Sequence, residues 1–279
     1  MGLRISSNIQ SLEAQRSLHQ NYEAGERSLE KISSGSRINR AADDASGLSI
    51  SENLRANVRS LNQAIREAQS GISIAQVAEG ALHEINNNLI RIRELSVQSA
   101  SDTLSDNERS MTNQEVQVLK NEIDRIANAT EYNGSKLLNG IAKEFEIQVG
   151  VHNRPSEDRL VFDTTNLVQS THALGVYDVS TASKATAREN LFKIDYAIDE
   201  VNESRASLGA FQNRLEAALQ DMRIYSENLG AAKGRVSDAD IGEETAELTR
   251  QNIMLQSNVS VLGQANTTPT KALQLLKQE

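Results

Sequence analysis

The most constraining feature of this sequence is the spacing of its apolar residues, which alternate in steps of three and four over long stretches. Between 54 and 92 this spacing continues for more than four heptads, as is typical of a coiled-coil-like seam. A second run, from 191 to 229, has apolar residues at nine of its twelve expected positions; the exceptions are Arg205, Gln212 and Ser226. The chain contains only 2 Pro and 15 Gly in 279 residues. Long uninterrupted helices are therefore predicted.

These helices are too long for a compact globule, because a helix of about 50 residues is roughly 75 Å long. We therefore predict a mainly α, elongated antiparallel helical bundle or coiled coil. Glu79 interrupts the first apolar run. The segment from Ser105 to Glu108 has the form of a capping box and predicts the start of a third helix. Asn133 and Gly134 then predict a turn.

A short stretch in the middle of the chain changes from helical to strand periodicity. From Phe145 to Val151 every second residue is apolar, and the segment Leu160 to Phe162 is a suitable partner strand. Leu174 and Val176 predict a third short piece. We expect a small β-hairpin element within about 141–180, at the tip of the bundle.

The two ends of the chain carry further apolar stripes. Over 5–32 the stripe drifts around the helix, so more than one partner is needed to cover it. Gly230 and Gly234 are predicted to end the helix that contains the second long run. Residues 237–240 can then cap the next helix. Pro269, with Thr268 as N-cap, predicts a short last helix. The predicted assembly residues on these stripes are Ile5, Ile9, Leu12, Leu18, Leu29, Ile32, Leu248, Leu255, Val259, Leu262, Leu273, Leu275 and Leu276.

The predicted domain organisation follows from this symmetry. Residues 1–44 and 235–279 are expected to form paired terminal helices, and 45–234 a central bundle that contains the β-element. Residues 1–40 hold six Lys or Arg and four Asp or Glu, whereas 238–279 hold three and six. These opposite net charges favour pairing of the two ends.

The composition argues against several classes of function. The net charge of -9 does not fit nucleic-acid binding, which requires a basic surface. There is no Cys, the four His are scattered, and the metal-binding, phosphate-binding and nucleophile-elbow motifs are absent. We predict no enzyme, no catalytic residue, no cofactor and no metal site. No apolar run is long enough for membrane insertion, and the N-terminus lacks the apolar core of a cleaved signal peptide.

Six blocks of sequence, in the same order, resemble bacterial flagellin. They include KISSGSRINRAADDASGLSISENLR at Lys31 to Arg55, NNNLIRIRELSVQSA at Asn86 to Ala100, and NEIDRIANATEYNGSKLLNG at Asn121 to Gly140. The remaining similarity covers the first helix, the second long run around Ile198 to Glu216, and the segment from Ser260 to Leu276. Together the blocks cover most of the chain.

The resemblance implies a structural subunit that polymerises with itself into the flagellar filament used for swimming. It implies paired terminal helices in an inner tube, a central bundle in an outer one, and an extracellular location. Export would proceed unfolded through the flagellar type III apparatus without a cleaved signal peptide. The implied partners are an export chaperone at the C-terminal helix and the filament cap and junction proteins.

The resemblance also implies recognition by an animal Toll-like receptor. The motif that this receptor reads is similar to RIREL here, which gives Arg91 and Leu95, with Glu115 on the neighbouring helix. Ile90 stands where the family has a polar residue.

Two alternatives to a filament subunit remain open from the sequence. A hook–filament junction protein has related terminal segments, although the RIRELSVQSA and EYNGSKLLNG blocks favour flagellin. A soluble helical signalling rod, such as the cytoplasmic hairpin of a chemoreceptor, also has long antiparallel heptads. It would require a membrane anchor or a partner-binding tip.

Overall fold

The computed structural model describes residues 8–140, 144–162 and 167–276, the last eight by their backbone alone. These residues form six helices and two antiparallel strand pairs, which confirms the mainly α fold class. The elements are α1 Ile9–Ser34, α2 Ala45–Ser99, α3 Asp106–Ala129, β1 Glu131–Tyr132, β2 Ser135–Lys136, β3 Phe145–Gln148, α4 Pro155–Asp158, β4 Arg159–Phe162, α5 Lys184–Ser237 and α6 Ile241–Leu276.

The chain divides into two compact units. A terminal unit comprises Met1–Ala56 and Asn228–Glu279, and a central unit comprises Asn57–Glu227. The division points lie inside α2 and α5, whereas the sequence predicts boundaries at connectors, after 44 and after 234. A helix does not have to end where its packing partners change, and heptad patterns do not mark that change.

The core of the central unit is the seam between α2 and α5. The apolar positions expected on α5 are all buried or half-buried, and Leu208 and Leu215 are fully buried. The helices run antiparallel, since Arg93 contacts Asp195 at 2.6 Å and Gln212 donates to Glu79 at 3.1 Å. Glu79 is the polar residue that interrupts the first apolar run, and Gln212 is one of the polar exceptions in the second run. The hydrogen bond between them joins these two positions. A polar pair of this kind within an apolar seam favours one register over its alternatives.

The helix α3 begins with the predicted capping box at Ser105 and Glu108. It holds the irregular segment 171–181, whose buried backbone groups need hydrogen-bond partners. Lys120 donates to the carbonyls of Tyr177 and Val179, and Asp124 accepts from the amide of Thr171 at 2.8 Å. Burial of Lys120 lowers the pKa of its ammonium group.

Leu174 and Val176 lie in the same segment, and the predicted third β-piece is wrong. Both side chains are buried, at 1% and 0% exposure, but Leu174 lies in a turn and Val176 in irregular backbone, and neither belongs to a strand. They anchor the segment against the helices by their apolar side chains, which explains why their pattern resembled a buried strand.

The strands β3 and β4 form the predicted hairpin, with Phe145 opposite Phe162. Its expected position at the tip is wrong. The Phe162 ring lies 4.8 Å from that of Phe211, and Ile147 packs onto Gly71, where a β-carbon would overlap it. Both contacts lie well inside the long helices. Because α3 runs back along α2, the chain re-enters beside the middle of the helices before it forms the hairpin.

One local expectation about a helix boundary differs from the structure, and one about a turn is confirmed. The helix α5 continues through Gly230 and Gly234 to Ser237, although each glycine costs about 1 kcal/mol relative to alanine. The turn at Asn133 and Gly134 joins the additional pair β1 and β2, with positive φ angles of 48° and 78°. Such a pair of angles is typical of a tight hairpin turn.

The α2–α5 seam generates a stability prediction. Leu208→Ala and Leu215→Ala should each reduce the free energy of unfolding of the central unit by about 2–5 kcal/mol, since each leaves a cavity in a closed core. Thermal unfolding followed by circular dichroism measures this. The control is Ile224→Ala on the same helix, where the side chain is 52% exposed. Equal Tm values for the wild type and both leucine variants would contradict the seam assignment.

Candidate assembly surface of the terminal helices

Small side chains form the contact between α1 and α6. Within the described residues of these helices, the buried positions are Ser11, Ala14 and Ser28 on α1 and Ala265 on α6. Small residues allow two helix backbones to approach closely, and the larger aliphatic side chains are then displaced to the sides and to the outer faces. We call α1 and α6 together the terminal helix pair.

One end of the terminal helix pair is fixed by its two connectors, which hydrogen-bond to each other. The amide of Arg37 donates to the carbonyl of Ser237 at 2.7 Å, and Ala239 donates to Gly35 at 3.1 Å. Gly35 ends α1 in the left-handed conformation, with φ of 66°. Lys31 and Glu244 add an ion pair of 2.7 Å at the same end. The register of the pair is therefore set by backbone bonds.

The connector itself is shaped by the two adjacent aspartates Asp43 and Asp44. Asp44 accepts from the amide of Gly47 at 2.9 Å at the start of α2. Asp43 accepts from the amides of Arg40 and Asn39. These backbone hydrogen bonds lower the pKa of both carboxyl groups. The two aspartates thus order the connector and do not form an acid–base pair.

The other end of the terminal helix pair is fixed by Asn8. Its side chain accepts from the amide of Ser11 at 3.1 Å as the N-cap of α1, and its Nδ2 donates to the carbonyl of Ala265 at 2.8 Å. Ser11 also donates to Asn266 at 2.8 Å. Asn8 therefore caps one helix and binds the backbone of the other.

This contact explains why the predicted short last helix is wrong. α6 continues without a break through Pro269 to Leu276, and Thr268 is not an N-cap. Proline has no N–H, so the carbonyl four residues earlier, that of Ala265, lacks its helical donor. The side-chain amide of Asn8 donates a hydrogen bond to this carbonyl instead. A sequence pattern could not reveal this, because the donor is more than 250 residues away.

The predicted assembly residues fall into two groups. Ile9, Leu12, Leu29 and Val259 are exposed by 53%, 59%, 55% and 60%. Half-buried positions are Leu18, Ile32, Leu248, Leu255 and Leu262. Ile5 lies outside the described residues, as do the side chains of Leu273, Leu275 and Leu276.

The structure also exposes apolar residues that the sequence analysis had not assigned to assembly. Tyr22 is 54% exposed, Ile253 61% and Met254 45%. A continuous apolar stripe along one helix face would have predicted these residues from the sequence. Here the apolar residues face several directions, so no such stripe is present. A helix pair with large apolar side chains in water on several sides requires further partners.

The residues of the predicted receptor motif lie at the contact of α2 and α3. Arg91 donates to Glu115 at 2.9 Å and to Glu94 at 3.0 Å, and these carboxylates raise the pKa of its guanidinium group. Arg91 and Glu115 are exposed, whereas Leu95 is only 3% exposed and belongs to the core. The structure therefore brings the charged pair together at the surface, and receptor recognition stays a prediction.

Among the residues that the structure describes, no helix meets the length and hydropathy needed to cross a bilayer. Within the same residues, His, Asp and Glu form no cluster of three or more that could hold a metal ion. What the geometry does provide is a helical subunit with a closed core in one unit and exposed apolar helix faces in the other. These features define the class of helical structural proteins that bind through helix faces.

Comparison with known proteins places the chain within this class. Residues 5–143 match the family model for the bacterial flagellin N-terminal helical region, and residues 191–276 match that for the bacterial flagellin C-terminal helical region. A flagellin of Halalkalibacterium halodurans is 41% identical over 275 residues, which cover 98% of this chain and 99% of the relative. The chain belongs to the bacterial flagellin family.

Further relatives are similar over their whole length. The flagellar filament 30.7 kDa core protein of Treponema maltophilum is 39% identical, and the alignment covers 98% of this chain and 99% of that protein. Flagellin of Bacillus subtilis is 36% identical, with 99% and 100% covered. The crystal structure of Bacillus cereus flagellin superposes with a TM-score of 0.50 at 30% identity, over 56% of this chain and 88% of that one.

The double role of Asn8 generates a prediction. Asn8→Ala removes both the cap and the donor to Ala265, whereas Asn8→Ser keeps a capping oxygen but is too short to reach that carbonyl. Loss of an asparagine N-cap alone typically costs about 1 kcal/mol. Asn8→Ala should therefore speed amide exchange at the start of α1 more than Asn8→Ser does.

The matched test adds Pro269→Ala, which restores the backbone donor to the Ala265 carbonyl. In that background Asn8→Ser should be nearly neutral, because the lost side-chain bond is no longer needed. Amide exchange over 8–14 and 262–268, measured by mass spectrometry, reports both helices. An Asn8→Ser effect of equal size in the two backgrounds would contradict the proposed compensation.

Proposed function

We propose that this chain is the structural subunit of a bacterial flagellar filament, polymerises with itself and acts in swimming motility outside the cell. The observation that carries the proposal is the set of exposed apolar side chains on the terminal helix pair, together with family membership over nearly the whole chain. The family is structural, and we propose no catalytic activity for this member.

The terminal helix pair is proposed to be the inner part of the filament. Neighbouring copies would cover Leu12 and Val259, which no part of the described chain covers. Because the connectors fix the register of α1 against α6, the apolar residues of the two helices keep fixed positions relative to one another on the faces that neighbours would cover. The central unit is proposed to form the outer part.

Export unfolded through the flagellar type III apparatus, without a cleaved signal peptide, is part of the proposal. The relevant support is the contact between α1 and α6, which buries small side chains rather than large ones. An export chaperone is proposed to bind α6, where Ile253, Met254 and Val259 are exposed. Such a partner would cover an apolar helix face until assembly replaces it.

The filament cap and the junction proteins are proposed as partners at the two ends of the polymer. They would meet the same surfaces that neighbouring copies cover elsewhere. Recognition by an animal Toll-like receptor is proposed through Arg91 and Glu115. Leu95, buried at 3% exposure, would support this surface from within the core.

The proposed function predicts a separation of assembly from folding. Leu12→Ser and Val259→Ser should each raise the critical monomer concentration for filament formation at least about tenfold, because apolar area is no longer buried between copies. The Tm of the monomer should stay unchanged, since both side chains are exposed in it. Sedimentation and electron microscopy of purified protein measure assembly.

The matched control is Gln15→Ser, an exposed polar position on the same helix. It should assemble like the wild type. Full assembly of both Leu12→Ser and Val259→Ser would contradict the assignment of this surface. A wild-type protein that forms no filaments under any assembly condition would contradict the proposed function itself.

A further inference from the structure

The chain contains two Asn-Gly pairs, and the structure places them in different surroundings. Asn133-Gly134 forms the turn between β1 and β2, and Asn139-Gly140 follows β2 after two leucines. An asparagine that precedes a glycine can deamidate spontaneously, because glycine has no β-carbon to hinder attack by its own backbone nitrogen. The surroundings of each pair therefore decide whether it reacts in the folded protein.

The backbone of Asn133 is held in an unfavourable conformation. Its φ angle is 48°, and among the described residues it is the only residue other than glycine with a positive φ. Asparagine tolerates this left-handed region better than most residues do, but glycine adopts it without the steric cost. Because deamidation closes a five-membered ring at Asn133, the residue must leave this conformation and the turn must open. Opening also relieves the backbone strain.

Few interactions hold this turn closed. The strands β1 and β2 have two residues each, and a strand pair of this size is only marginally stable. Asn133 and Gly134 are exposed. Within the described residues, neither the Asn133 side chain nor the Gly134 amide has a hydrogen-bond partner. A partly exposed ion pair between Lys136 and Glu131 closes the strand pair, and such pairs contribute little. We therefore expect frequent local opening.

The second pair is packed against the rest of the central unit. Asn139 is half-buried and follows Leu138, which is fully buried. The carbonyl of Leu138 accepts from the amide of Gln169 at 3.1 Å. Val168 lies against Gly140, where an added β-carbon would come within 2.9 Å of the valine side chain. Ring closure at Asn139 therefore requires the separation of packed groups.

The reaction at Asn133 consumes water and needs no enzyme or cofactor. The backbone nitrogen of Gly134 gives its proton to hydroxide and attacks Cγ of Asn133. A bond forms between these two atoms, the bond from Cγ to Nδ2 breaks, and Nδ2 takes up a proton from water and leaves as ammonia. Water then opens the succinimide ring. Cleavage of the new bond to Cγ gives aspartate, and cleavage of the bond to the main-chain carbonyl carbon gives isoaspartate.

We propose that Asn133 is a site of spontaneous deamidation in the folded protein, whereas packing protects Asn139. Each conversion adds one negative charge to a chain of net charge -9. Isoaspartate also adds a methylene group to the backbone, which a two-residue hairpin turn does not accommodate. The buried side chains of Leu137 and Leu138 keep the following segment in place, so the change stays local. The reaction needs one chain only and does not rest on the proposed filament function.

Peptide mapping by mass spectrometry tests the proposal on purified wild-type protein. One sample is kept folded in mildly alkaline buffer, well below its Tm, and a parallel sample is kept unfolded in urea until both sites have reacted. In the folded sample Asn133 should convert at least about tenfold faster than Asn139, which reacts only through rarer local unfolding. In urea the two rates should be comparable, since each asparagine precedes a glycine. Electron-transfer fragmentation distinguishes isoaspartate from aspartate.

Matched variants identify the reacting site. Asn133→Gly keeps the turn, because a Gly-Gly pair suits it, and should remove most of the ammonia that the folded protein releases. Asn139→Gly should release ammonia at the wild-type rate. Lys136→Ala breaks the ion pair that closes the strand pair and should speed conversion at Asn133 by up to about fivefold. Its control, Arg125→Ala, breaks an exposed ion pair on α3 and should leave that rate unchanged.

Each result supports or overturns the proposal. Equal rates at Asn133 and Asn139 in the folded sample would overturn it, as would a folded Asn133 that stays intact after the unfolded sample has reacted. Undiminished ammonia release from Asn133→Gly would also contradict it. A Lys136→Ala rate equal to that of the wild type would overturn turn opening as the controlling step. None of these measurements involves assembly, so the filament function stands or fails separately.

Discussion

The close approach of α1 and α6 through small side chains is the constraint on which the terminal unit depends. Ser11, Ala14, Ser28 and Ala265 occupy the contact, so no room remains there for leucine or isoleucine. The large aliphatic side chains must then lie at the edges of the contact or in water. A helix pair built in this way cannot bury its own large apolar side chains, whereas several such pairs packed side by side can bury them between one another. Close packing inside one subunit and apolar binding between subunits therefore follow from the same choice of residues.

Polar side chains in this fold appear where the helical pattern fails, and each supplies a group that is missing. Gln212 and Glu79 meet where both seams are interrupted. Asn8 donates to the carbonyl that Pro269 leaves without a partner. Lys120 donates to carbonyls of a segment without regular structure. An unpaired polar group in the interior costs about 1–3 kcal/mol, so these contacts determine register and connectivity. The apolar seams alone would tolerate shifts along the helix.

The sequence predicted the features whose causes are local or periodic. The α5 seam, the capping box at Ser105 and the β3–β4 pairing depend on residues near one another in the chain, and the structure has all three. The errors have a different cause. Whether a proline ends a helix depends here on an amide donor at the other end of the chain. Whether Leu174 forms a strand depends on α3 as its partner. A hydrophobic pattern does not predict the small-residue contact, because alanine and serine contribute little to such a pattern, although they decide which side of α1 faces α6.

The two units differ in what holds them together, and this difference bears on assembly. The central unit buries leucine, isoleucine and valine side chains along a continuous seam, and its stability is therefore its own. Ordering the backbone of a helix costs about 1–2 kcal/mol per residue. Among the described residues, the contact between α1 and α6 offsets that cost with small buried side chains, half-buried aliphatic side chains, a few hydrogen bonds and one ion pair between the helices. On the proposed assembly surface, neighbours that cover Leu12 and Val259 would stabilise this pair further. Under the proposed function, assembly would then stabilise the helices that carry it, and a subunit would bind strongly only where several neighbours are already in place. A free subunit that meets one other free subunit would gain too few contacts to offset the cost of ordering its terminal helices. Growth at an existing end would therefore be favoured over association of free subunits.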